Sequence, residues 1–114
     1  MKTRPSKKPR EQTVRGGRNA PYRAVAVLKA KPGQAQQLLD FTMEVLPLIR
    51  QVEGLHKVEV SRSTSDPGLL VLYYWWETPG HSERYVKGPV YASIAPRLAS
   101  LVEEHELYMT ENLG

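Results

Sequence analysis

The chain has 114 residues, room for one domain and one core, and its 40% hydrophobic and 25% charged residues are too polar a mixture for a membrane-embedded protein. Cysteine is absent, which excludes disulfides, thiolate nucleophiles, and zinc or iron–sulfur centres built on Cys. The net charge of +4 is unevenly spread: residues 1 to 20 hold seven basic side chains against Glu11, a net of +6, which leaves −2 on the remainder.

Residues 1–20 are therefore expected as a basic, flexible N-terminal extension, and 21–114 as the folded domain. The extension has two prolines, a Gly pair and almost no aliphatic side chains, too little apolar surface to offset the entropy of ordering it. Such an arm attracts phosphates through counterion release, yet it lacks aromatic rings for stacking on bases. Nucleic acid is thus not expected as a partner beyond that attraction. No run approaches the roughly 20 apolar residues that span a bilayer, and the N-terminus has no apolar signal-peptide region. The expected location is the cytoplasm.

"YRAVAVLKA", residues 22 to 30, reads as a first strand, with Val25 and Val27 on one face and Ala24, Ala26 and Leu28 on the other. From about Gly33 to Val52 the spacing becomes helical, with Ala35, Leu38, Leu39, Thr42, Leu46 and Ile49 in one stripe. Pro47 removes the bond to the Met43 carbonyl and predicts a kink or a tightened last turn. Gly54 is expected to terminate the helix.

"LHKVEVSRS", residues 55 to 63, sets His56, Val58 and Val60 against Lys57, Glu59 and Ser61, the pattern of a half-wet edge strand. The turn "TSDPG" leads by a hairpin into "LLVLYYWWE", residues 69 to 77. Thr78 and Pro79 read as an N-cap with proline at the first helical position, opening a short helix to about Val86. A second helical stretch sets Val90, Ile94, Leu98, Leu101 and Val102 on one face, with Pro96 a further distortion. "HELYMTE", residues 105 to 111, reads as the last strand.

The order β-α-β-β-α-β, with the second helical region in two pieces, is the ferredoxin-like split βαβ pattern of the α+β class. Its helices cover one face of a four-stranded antiparallel sheet. The 69–77 strand is apolar on both faces, so Val71, Tyr73 and Trp75 would expose roughly 400–600 Å² at about 150–250 Å² per aromatic. That equals or exceeds the largest patch of most monomers, about 300–600 Å². A second copy of the sheet is the simplest cover, which predicts a homodimer closed into an α+β barrel.

Four stretches, "AVLKAKPGQAQQLLDF", "PLIRQVEGLHKVEV", "SDPGLLVLYYWWET" and "YVKGPVYASI", give the chain a family resemblance over residues 22 to 112. In their order and spacing they resemble the antibiotic biosynthesis monooxygenase family. The resemblance implies a dimeric α+β barrel and oxidation of a phenol or quinol by O₂ without metal or flavin. In that chemistry the substrate's own anion reduces the oxygen inside a dry pocket between helices and sheet. Trp76 matches the strand tryptophan of the polyketide-oxidising branch, while Leu72 stands where that branch has Asn. Tyr85 stands where many members have His. The haem-degrading branch's Asn, Trp and His positions are Ala26, Tyr85 and Ala95 here, which disfavours haem as a substrate.

Within that frame His81 and Tyr85, four apart on one helix and so on one face, are the candidate catalytic pair. The histidine would accept a proton and the phenol would donate a hydrogen bond. Tyr74, Trp76, Arg84, Tyr91 and Leu72 are candidate substrate-binding residues, with the Tyr74 and Trp76 rings as walls for a flat ligand. Arg84, Arg97 and Tyr91 could pair with a developing anion. His56 reads as an edge residue and His105, among Glu103, Glu104 and Glu106, as a surface one; three histidines so spaced make no metal site. No cofactor is expected. The partners expected are a second copy of the chain and a small aromatic substrate or ligand. The alternative to an oxygenase is a non-catalytic small-ligand-binding or assembly module on the same barrel, because Leu72 and Tyr85 replace the usual polar residues.

Overall fold

The computed structural model describes residues 22–114, so the expected basic extension lies outside the described residues. The elements run β1 (Tyr22–Ala30), α1 (Ala35–Ile49), β2 (Leu55–Arg62), β3 (Leu69–Trp76), α2 (Pro79–Val86), α3 (Pro89–Leu101) and β4 (Val102–Glu111). One antiparallel sheet has the order β2-β3-β1-β4, the ferredoxin-like arrangement, with β2 at an edge as its wet face predicts. Among the described residues, no helix is long and apolar enough to cross a membrane.

The sheet has two unlike faces. On the helix side β1 contributes Ala24, Ala26 and Leu28, and β3 contributes Leu70, Leu72, Tyr74 and Trp76, all buried. Register sets small against large, with Ala24 opposite Tyr74 and Ala26 opposite Leu72, while Trp76 lies opposite Tyr22. Leu38, Phe41, Leu46 and Ile49 of α1 and Ile94, Leu98 and Leu101 of α3 close this core. Each fully buried large side chain contributes about 1.5–3 kcal/mol. The opposite face carries Val25, Val27, Val71, Tyr73 and Trp75, and none of the described helices covers it. Tyr73 remains 39% exposed. Trp75 is flanked by the Arg23 guanidinium and the Lys57 ammonium, 5.2 and 5.0 Å from its ring.

Several local expectations need correcting. Helix α1 ends at Ile49, and its exit tightens: Arg50 N–H bonds to the Leu46 carbonyl, whereas Gln51 and Val52 reach only three residues back, to Leu48 and Ile49. Gly54 is therefore not the helix terminator. It sits in the following turn at φ +82, pressed against the His81 ring. A register irregularity between Leu55 and Lys57 takes His56 out of the alternation that would have joined it to Val58 and Val60, and its ring pairs with Glu77 at 2.6 Å instead. Val102 belongs to β4 and not to the helix, since its backbone is already extended at φ −111, ψ 144. Helix α3 continues through Pro96.

Candidate active site

Two small clefts open between the helices and the sheet, where Ala24 and Ala26 leave room that larger β1 side chains would fill. The first, about 30 Å³, is lined by Trp76, Ser82, Val86 and Leu107 among others. The second, about 40 Å³, is lined by Leu72, Phe41, Ile49 and Ile94 among others. Ala26, Tyr74, Tyr85, Tyr91 and His105 border both. Each has space for about one water molecule, against the roughly 300–1,000 Å³ of a formed ligand pocket.

The walls are a chain of four rings. Tyr74 stacks near-parallel to Trp76, with centroids 6.1 Å apart and planes at 12°. Tyr85 leans on both, 6.2 Å from Tyr74 and 5.7 Å from Trp76, and meets Tyr91 edge-on at 5.5 Å. Helix α2 delivers Tyr85 because Thr78 caps it, the hydroxyl accepting from the His81 N–H, and Pro79 fixes the first turn. Trp76 is 1% exposed, and its indole N–H is a buried donor with no partner among the described residues. A buried orphan donor costs about 1–3 kcal/mol.

The phenols are donors at neutral pH. Burial pushes the Tyr74 hydroxyl far above its ordinary value, with the neighbouring Tyr85 adding to the shift. Tyr85 is pushed up to about 12, again by burial. Neither can serve as a base; both can hydrogen-bond an anion.

Five of the sequence-predicted residues converge here: Leu72, Tyr74, Trp76, Tyr85 and Tyr91. Three others do not. Although His81 is four residues before Tyr85, it borders neither cleft; its Nδ1 is held by the Thr78 hydroxyl at 2.8 Å and its ring lies on Gly54. Arg84 is exposed in the last turn of α2. Arg97 places its guanidinium 5.5 Å from the Phe41 ring instead of in a cleft. Sequence reasoning missed Ser82, which is buried and donates to the Met109 sulfur at 3.3 Å. His105 is exposed on β4, as its reading as a surface residue expected, but it also borders both clefts, and partial burial pushes its imidazole down from the usual value. The signal for His105 was strand alternation: it shares the helix-side face with Leu107 and Met109, while Glu104 and Glu106 point the other way.

Residues 21–97 match a family model described as antibiotic biosynthesis monooxygenase. A search of curated proteins finds no significant match. Among solved structures, one of a Pseudomonas aeruginosa protein superposes with a TM-score of 0.75 at 17% identity, covering 84% of this chain and 97% of that one. A protein of unknown function from Nitrosomonas europaea gives 0.73 at 21%, covering 82% and 90%. A crystal structure described as an antibiotic biosynthesis monooxygenase gives 0.73 at 14%, covering 82% and 99%. At these identities the structural likeness is one of fold. The family match spans the greater part of the sequence and every element from β1 to most of α3, and the chain belongs to the antibiotic biosynthesis monooxygenase family.

Proposed function

We propose that the protein is a cofactor-independent monooxygenase that oxidises a small planar phenol or quinol with O₂, working as a homodimer. The observation that carries this reading is the buried, unpartnered Trp76 N–H at an aromatic-walled cleft, beside hydroxyls that stay protonated. Such donors suit an oxyanion: a phenolate bound there gains hydrogen bonds that the neutral phenol uses less well. Once the substrate is ionised, the reaction needs from the protein binding, orientation and exclusion of water. The substrate anion gives an electron to O₂, the two radicals join in a C–O bond, and the peroxide anion takes back the proton that the phenol lost. The resulting hydroperoxide loses water as the ring C–H becomes C=O, so one oxygen atom ends in the product and the other in water.

The open sheet face supports the dimer. Val25, Val27, Val71, Tyr73 and Trp75 lie on the side opposite the clefts, so a second sheet seated there leaves the site accessible. The alternative, a ligand-binding module without turnover, is favoured by one observation: clefts of about 30 and 40 Å³ take only the polar edge of a ligand and leave the body of a dihydroxynaphthalene or anthrone at their mouth, short of a water-excluding pocket. An oxygen electrode separates the two. With dihydroxynaphthalenes and anthrones the parent should consume O₂ in a saturable way, and Trp76→Phe and Tyr85→Phe should each slow it. Binding of the same compounds by calorimetry with no oxygen uptake supports the module; uptake unaffected by both substitutions removes this site.

A further inference from the structure

Of the five residues that border both clefts, Ala26 has no side-chain acceptor and Tyr74, Tyr85 and Tyr91 carry phenols, of which burial holds Tyr74 and Tyr85 in the protonated form. The remaining polar lining is engaged elsewhere: the Ser82 hydroxyl donates to the Met109 sulfur, and Thr42 donates to the Leu38 carbonyl at 2.8 Å. Among the described residues lining either cleft, His105 is the one whose side chain ordinarily titrates near neutrality. Strand β4 sets it opposite Leu28 on the helix side of the sheet, next to the half-exposed Leu107 and Met109, so its ring reaches both the clefts and solvent.

We infer that His105 is the proton acceptor for a phenolic ligand seated at the mouth of the clefts, with the ring edge toward Tyr85 and Tyr91 and the rest of the molecule over Leu107. The ligand O–H bond breaks, an imidazole N–H bond forms, and a phenolate–imidazolium pair remains; the proton later leaves to water from the exposed side. The phenolic class of ligand rests on the function proposed above, whereas the choice of base rests on the lining alone. The titratable groups facing His105 from the packed elements are Tyr74 of β3, Tyr85 of α2 and Tyr91 of α3. Its facing β1 neighbours, Ala26 and Leu28, bring none, and Glu103 lies two residues back on its own strand, beside the register shift. Partial burial pushes the imidazole down from its ordinary value, toward the neutral form that can accept a proton.

4-Nitrophenol reports this transfer directly, because its phenolate is yellow. Bound to the parent, it should stay ionised below its free pKa, with an apparent lowering of about one unit or more, the effect of an adjacent cation. In His105→Gln that lowering should vanish. In the parent, the His105 Cε1–H NMR signal should move to the imidazolium position as the probe is added, a readout that needs no variant to fold. Absence of probe binding, a lowering that survives in His105→Gln, or an unmoved imidazole signal would each overturn the assignment. No oxygen is involved in these tests, so they fail separately from the oxygenase reading. Anthrone oxidation with the same pH profile in His105→Gln overturns the base and leaves the oxygenase. An intact probe shift without oxygen uptake leaves the base and overturns the oxygenase.

Discussion

Replacing Gly54 by alanine perturbs two things that the structure allows to be separated. The residue sits at φ +82, where a side chain costs about 1–2 kcal/mol. A Cβ there would lie 2.2 Å from the His81 ring, closer than real contacts, and that ring is held by the Thr78 hydroxyl through Nδ1. Moving the ring loses a hydrogen bond worth about 0.5–1.5 kcal/mol. Gly54→Ala should therefore cost about 2–3 kcal/mol in urea unfolding, or roughly 10–20 °C in Tm for a domain of this size. In a His81→Ala background the clash and the bond are both absent, and the cost should fall to about 1–2 kcal/mol. The coupling of about 1 kcal/mol is the diagnostic quantity. Equal costs in the two backgrounds would show that His81 does not rest on Gly54 and would reopen its place at the cleft.

Other outcomes are as specific. The parent should sediment at twice the 12.9 kDa chain mass, and Tyr73→Glu with Trp75→Lys should sediment as a monomer; a parent that stays monomeric at micromolar concentration contradicts the open-face dimer. Tyr85 has its folded pKa raised to about 12 from an unfolded value near 10, so its contribution to stability is full below pH 10 and is lost as the pH rises from 10 through 12. Melting followed from pH 9 upward should fall more steeply in the parent than in Tyr85→Phe, and superimposable slopes would refute the burial argument. Thr78→Ala removes the α2 cap and should cost about 1 kcal/mol; a neutral result would mean that the cap does not set α2.

Strands β1 and β3 were legible because period-two alternation with apolar residues on both faces has few other solutions, and the helix stripe of α1 because Leu38, Leu46 and Ile49 repeat at helical spacing. The site was legible in its aromatic part for the same reason: Tyr74 and Trp76 must share a strand face. What escaped was set by tertiary context. Spacing put His81 on the face of Tyr85, but a first-turn side chain next to its own cap has a competing partner, and the Thr78 hydroxyl holds the ring outward. His56 was misplaced because a register irregularity leaves no mark on alternation until the partner strand is known. The start of β4 was taken for helix because Val102 suits either an apolar helix face or a strand. The acidic neighbours of His105 marked it correctly as a surface residue, and its alternation with Leu107 and Met109 was the signal that it also borders the clefts.

The central claim is that an acceptor bound at the aromatic cleft meets the indole N–H of Trp76. The chain has two tryptophans, so the protein shows two indole signals in a ¹H–¹⁵N spectrum, and Trp75→Phe assigns them. Without ligand the Trp76 proton should resonate upfield, as a donor without an acceptor does, and it should move downfield saturably as a dihydroxynaphthalene that the protein oxidises is added. A Trp76 signal that stays still while the compound binds and is turned over would contradict the account.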